Sequence, residues 1–255
     1  MEVMVFILGA IVGSFLNVCI YRIPREESIS YPFSHCINCG NRIKAYDLIP
    51  ILSYVFLKGR CRFCKERVSI VYPLVETLTA FIFLIAYIKF GYTFYFFKYM
   101  VMSSFFIVIS FIDIKYQDVY SITVYPPLIL ALIFSVLEKV IFNYNPWNYI
   151  LGALFSALIM FIIFYFTKGI GAGDIEIAAL AGGVLGIKYT PIILILSFIF
   201  GAIISTLLIL IKVKNRKDSV AFGPFIALAC FSVIFYVNYI LDWYIKLIKN
   251  IYGML

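Results

Sequence analysis

Histidine is nearly absent from this 255-residue chain, charge is scarce, and acids are scarcer than bases: one histidine, 13% charged residues, and thirteen acids against twenty-one lysines and arginines. With His35 as the only imidazole, a metalloprotease helix bearing paired histidines cannot be built, so any hydrolysis must use other groups. Soluble domains carry roughly 25% charged residues, and half that number cannot coat a globule of this size. What fills the chain instead is 64% hydrophobic and 19% aromatic residues, a composition that belongs in a bilayer.

A hydrocarbon core about 30 Å thick takes about 20 mostly apolar residues per helix. Apolar runs at 3–20, 72–87, 94–112, 119–137, 149–166, 175–187, 190–211 and 221–244 give eight candidate spans. The second and sixth are short, and the sixth is glycine-rich, so either can tilt or stop inside the protein. The start carries no basic segment and no small-residue cleavage site, so the first run reads as a retained span. Placing 21–71 on the cytoplasmic side puts fifteen basic residues there and six on the other, with both termini outside, in keeping with the positive-inside rule. The net charge of +8 then needs no nucleic acid to explain it; solvated, lipid-facing loops suffice. The expected fold is an all-α polytopic membrane protein of about eight transmembrane helices with a cytoplasmic zinc-knuckle loop. Its parts are a first span (1–23), a tetracysteine loop (24–71) and a membrane core (72–255).

That loop holds four of the six cysteines. Cys36-Ile37-Asn38-Cys39 and Cys61-Arg62-Phe63-Cys64 are two C-x2-C knuckles with 21 residues between them, the pattern of a tetrathiolate zinc site. On a reducing cytoplasmic face disulfides do not persist, and four thiolates close the metal's coordination, so zinc would fold the loop rather than catalyse. Redox-active pairs are the competing reading, but they open a helix in a βαβ unit that is missing here. Cys19 and Cys230 fall within spans and read as small apolar side chains, and His35 as a surface residue beside Cys36.

Carboxylates at membrane depth are costly and point to function. Asp113 ends the third span, and Asp174 opens the sixth after Gly169-Ile170-Gly171-Ala172-Gly173. Both lie at the cytoplasmic ends of their spans. Two carboxyls that meet in a low-dielectric site share a proton and titrate as a pair, the condition for acid–base work on one water. Gly171 and Gly173, lacking Cβ atoms, let a neighbouring helix or an extended substrate come close to Asp174. The same glycines could form a methyltransferase nucleotide loop, but an apolar span precedes them where a strand is required. Glu76, Asp118 and Glu176 are further acids near this face, with solvated or lysine-paired roles expected.

Taken in order, these pieces resemble the prepilin peptidases, or type IV leader peptidases, membrane aspartyl peptidases of the Gly-x-Gly-Asp type. The resemblance runs through Gly13-Ser14-Phe15-Leu16-Asn17-Val18, Tyr21-Arg22-Ile23-Pro24, both knuckles, Tyr46-Asp47-Leu48-Ile49-Pro50, Tyr72-Pro73-Leu74-Val75-Glu76, Ile112-Asp113, Gly171-Ala172-Gly173-Asp174 and Phe222-Gly223-Pro224-Phe225. It implies that Asp113 and Asp174 activate water to cut the leader from type IV prepilins or pseudopilins at the cytoplasmic face of the bacterial inner membrane. Members with the cysteine loop also methylate the new amino terminus using S-adenosylmethionine, whose site is expected around 24–71 and its flanks. Prepilin substrates and lipid are the implied partners, with no nucleic acid.

The chain departs from the family pattern at Val119-Tyr120-Ser121, where Ile-Pro-Asp is usual, and at Glu176, where a lysine is common. A differently shaped turn and extra negative charge are expected there. Two other classes compete. A transporter would carry its acids near the bilayer midplane rather than at its edge. A zinc-knuckle adaptor would depend on the cysteines and not on the aspartates.

Overall fold

The computed structural model describes residues 1–167, 169–215 and 218–252, with side chains described to residue 237. Lys168, Arg216 and Lys217, which contribute to the expected charge bias, lie outside the described residues, as do the side chains of Lys246 and Lys249. Every apolar run becomes helix: α1 (Glu2–Arg22), α3 (Val71–Phe90), α4 (Phe94–Tyr116), α5 (Ser121–Phe142), α6 (Trp147–Thr167), α7 (Ala172–Leu185), α8 (Thr190–Leu210) and α9 (Gly223–Tyr252), with a short α2 (Leu52–Phe56) in the loop. Among the described residues no strand forms beyond two isolated bridges. Among the described residues six of these helices are long and apolar enough to cross a membrane, so the count of eight is not reproduced on that criterion. The other two are α7, with 14 residues, and the apolar part Gly223–Val237 of α9. At 1.5 Å per residue α7 reaches only about 21 Å, short of the bilayer core.

The chain divides into two compact units, Met1–Tyr116 and Gln117–Leu255. In the first, α1 and α3 pack with almost no side chain between them. A Cβ at Gly9 would lie 2.6 Å from the Ala80 Cα, and one at Gly13 2.7 Å from the Glu76 Cα. Small residues four apart let the backbones touch, which is how helices gain dispersion contact where lipid is as apolar as the side chains. Phe6 and Phe81 meet edge-to-face at 5.4 Å along the same seam. Helix α4 packs on both, burying Met102, Phe106, Ile109 and Asp113, a stripe at alternating spacings of four and three.

In the second unit α7 is the core. It contacts α5, α6, α8 and α9, and Ile177, Ala178, Leu180, Ala181 and Val184 are all buried. A helix apolar all round belongs inside a protein. Against α6 it fits glycine to glycine: a Cβ at Gly182 would stand 2.2 Å from the Gly152 carbonyl oxygen. Gly186, at φ +82°, ends α7 beneath the Asn148 amide, and the Ile187 N–H donates to the Asn148 carbonyl at 2.9 Å.

Candidate functional site

The two knuckles are built alike. Cys36 and Cys61 each begin a tight turn: the Gly40 N–H donates to the Cys36 carbonyl at 2.8 Å, and the Lys65 N–H to the Cys61 carbonyl at 3.1 Å. Each turn closes on a residue of positive φ, Gly40 at +69° and Lys65 at +62°. Bridges His35–Arg42 and Arg60–Arg67 tie the flanks, and His35 itself is exposed. The turns bring the four Sγ atoms of Cys36, Cys39, Cys61 and Cys64 within 4.8 Å of one another. Cys36 and Cys64 stand 3.8 Å apart, and thiolates about 2.3 Å from a tetrahedral Zn²⁺ would stand about 3.8 Å apart. The electrostatics agree with the spacing. The Cys64 backbone amide pulls the Cys61 thiol down to about 7, and the Asn41 amide holds Cys39 below its ordinary value. Cys64 goes the other way: the Glu66 amide favours its thiolate, but burial and the neighbouring thiols outweigh that and push it up to about 12. Four thiols at this spacing could hold a metal ion. Cys19 and Cys230 are buried in their helices, apart from the cluster.

The rest of the loop is tethered by arginines. Arg22, buried at the end of α1, donates to the carbonyls of Ser28 (2.7 Å) and Pro32 (2.6 Å). Arg62, inside the second knuckle, forks onto Asp47 through Nε (2.8 Å) and Nη2 (2.6 Å), a bidentate geometry that lysine cannot copy. The Arg62 guanidinium holds the Asp47 carboxyl below the usual carboxylate range.

Between this loop and the ends of α1 and α3 lies a cavity of about 390 Å³, whose wall includes Ser14, Asn17, Tyr21, Tyr54, Tyr72 and Glu76. Asn17, buried within α1, donates to the Tyr72 carbonyl at 3.0 Å and so joins the two helices. Glu76 is only 8% exposed, and its Oε2 accepts the Ile51 N–H at 2.7 Å. Ile51 has φ +63° and ψ −54°, with the Leu52 N–H reaching the Pro50 carbonyl at 2.6 Å. This is a γ-turn of the rare strained kind, at a β-branched residue, costing about 1–3 kcal/mol. The sequence singled out Glu76 only as one acid among several. Its tether to a residue twenty-five positions earlier left no local signal; the readable hint was a carboxylate inside an apolar run.

The aspartates sit at helix ends. Asp113 lies in the last turn of α4 in the first unit, 5% exposed. Asp174 lies in the first turn of α7 in the second unit, 7% exposed, and its Oδ2 accepts the Gly171 N–H at 3.0 Å. A carboxylate there meets the unsatisfied amides of a helix start. The glycines serve different ends. Gly171 is exposed beside Asp174, whereas the space over Gly173 is filled by Val119, whose Cγ2 would be 2.4 Å from an added Cβ. Val119 stands at one of the departures from the family pattern, and a neighbouring segment rather than substrate occupies that face. Asp118 is exposed and binds the Val119 N–H at 2.8 Å, while Glu176 accepts from the Tyr125 hydroxyl at 3.4 Å.

Residues 7–90 match the bacterial peptidase A24 N-terminal domain, and residues 100–206 match the type IV leader peptidase family. A "Prepilin leader peptidase/N-methyltransferase" of Bacillus subtilis (strain 168) is 33% identical over 95% of this chain and 97% of its own. The chain belongs to the type IV leader peptidase family. Proteins of the same name from Legionella pneumophila, 32% identical over 96% of this chain and 94% of theirs, and from Pseudomonas putida, 30% identical over 88% and 86%, are also similar. No solved structure matches the chain. For a type IV leader peptidase, the division at Tyr116 falls inside the second matched region, so α4 is shared between the family core and the first compact unit.

Proposed function

We propose that this membrane protein removes the leader from type IV prepilins or pseudopilins at the cytoplasmic face of the bacterial inner membrane, and then methylates the new amino-terminal residue. The observation that carries the reading is two buried carboxylates, one in the last turn of the spanning-type helix α4 and one in the first turn of the shorter buried helix α7, in a chain similar along nearly its full length to relatives of that name. Asp113 and Asp174 are the two acids. One takes a proton from the attacking water while the other gives one to the departing amine, and burial keeps bulk water from competing. The Gly171 amide fixes the orientation of Asp174, and exposed Gly171 leaves the approach to that carboxylate low.

Zinc at Cys36, Cys39, Cys61 and Cys64 is structural in this reading, since four thiolates leave it no open position. Bound there it would order a loop that has little core of its own, and the loop in turn shapes the cavity wall. S-adenosylmethionine would supply an electrophilic methyl group to the freed amine.

Incubating the detergent-purified protein with a prepilin and S-adenosylmethionine, then weighing the product, tests both steps. A leader-sized loss followed by one added methyl is expected. An uncut substrate across several prepilins would contradict the peptidase reading, and a cut but unmethylated product the second activity.

A further inference from the structure

We propose that the cavity walled by α1, α3 and the cysteine loop is the methyl-donor site, with Glu76 as the anion that selects the positively charged sulfonium. This rests on the methyl-transfer reading above and adds a place and a recognition group to it. The cavity measures about 390 Å³, within the usual range for small-molecule pockets of roughly 300–1,000 Å³. Its wall supplies what such a ligand asks for. Tyr21, Tyr54 and Tyr72 supply aromatic surface that suits a purine or a cation, with the Arg25 guanidinium already stacked 3.8 Å from the Tyr21 ring.

Three charged residues of the wall are committed elsewhere. Asp47 is held by both arms of Arg62, and Arg22 is spent on the carbonyls of Ser28 and Pro32. Glu76 is buried, and its partners are neutral: the Ile51 amide, aimed at Oε2 from a strained turn, and the Ser14 hydroxyl. Strain of this kind persists where the surrounding structure needs one particular orientation. An S-adenosyl sulfonium carries an extra positive charge that its demethylated product lacks. On transfer the amine takes the methyl group, sulfur keeps the bonding pair and becomes a neutral thioether, and the ammonium so formed releases a proton to water. A carboxylate beside the sulfur therefore holds donor more tightly than product, which favours exchange after each turnover.

The test is equilibrium dialysis of the full-length protein in detergent with S-adenosylmethionine and, separately, S-adenosylhomocysteine. Wild type is expected to bind one donor per chain and to prefer it over the thioether. In Glu76→Gln, donor affinity should fall at least about tenfold while thioether affinity moves less than about threefold, erasing the preference. Equal loss for both ligands, or none, would overturn the role of Glu76. Should Glu76→Gln melt lower than wild type, ultraviolet cross-linking of radiolabelled donor to wild type decides: label on peptides covering 14–22, 34–43, 47–57 or 60–76 supports the site, and label only elsewhere overturns it. A wild-type protein that binds neither ligand and yields no methylated product sinks the methyl-transfer reading itself, a different failure from donor that binds outside this cavity.

Discussion

Ile51 donates its backbone N–H to the Glu76 carboxylate at 2.7 Å from a γ-turn that an isoleucine adopts only under strain. The bond joins the cysteine loop to the start of α3, and it is maintained against a local backbone preference. Glycine would take the same φ without its Cβ penalty, whereas proline would forbid that φ and remove the donor. Ile51→Gly should therefore melt no lower than wild type. Ile51→Pro should lose about 3 kcal/mol, measured by thermal unfolding in detergent. A glycine variant that melts several degrees lower would show that the turn is not strained.

Gly173 and Val119 form a second close contact, this one inside the second unit. A methyl at position 173 would overlap the Val119 side chain at 2.4–2.5 Å, and overpacking of this size costs about 1–3 kcal/mol. Gly173→Ala should lower the melting temperature and leader cleavage together. Adding Val119→Gly should recover part of both, a coupling that simple additivity would not give.

Metal analysis of protein purified under reducing conditions should find about one zinc per chain, and Cys→Ser at position 36, 39, 61 or 64 should reduce it. Chelation should make residues 24–71 sensitive to protease and should reduce methylation more than cleavage, because the proposed acids lie on α4 and α7. A metal-free sample with an intact, protease-resistant loop would contradict the structural role.

Acid should act on the loop through Asp47. Its pairing with Arg62 lowers the carboxyl's pKa, so the folded loop binds fewer protons than the unfolded one. The stabilisation is fully present above the unfolded carboxyl value of about 3.9 and is lost as pH falls through the lower folded value. The protease resistance of wild type over Asp47→Asn should be flat from neutral pH to about 5 and should shrink below about 4. An advantage that grows on acidification would reverse the sign.

Much of this architecture was legible because hydropathy is a local property. The runs at 3–20, 94–112 and 190–211 became α1, α4 and α8, and two C-x2-C knuckles announced their own turns. Even the doubt attached to the sixth run was physical: glycine-rich and short, it became the buried helix α7, whose glycines serve contact with α6. What stayed illegible depends on partners distant in sequence. Nothing beside Gly173 says that Val119 will fill its missing side chain, nothing beside Asp47 says that Arg62 will fork onto it, and nothing near Pro50 says that the following amide will reach Glu76. Periodicity locates elements, but such contacts exist only once the elements have packed.

The aspartates bear the central claim most directly. Asp113→Asn and Asp174→Asn, each purified from membranes alongside wild type, should be incubated with one prepilin and the products weighed by mass spectrometry. Each variant should insert normally, keep its zinc and lose cleavage by about a hundredfold or more, the scale expected for removal of an acid–base group. Cleavage at the wild-type rate by either variant would show that the paired-carboxylate mechanism is wrong.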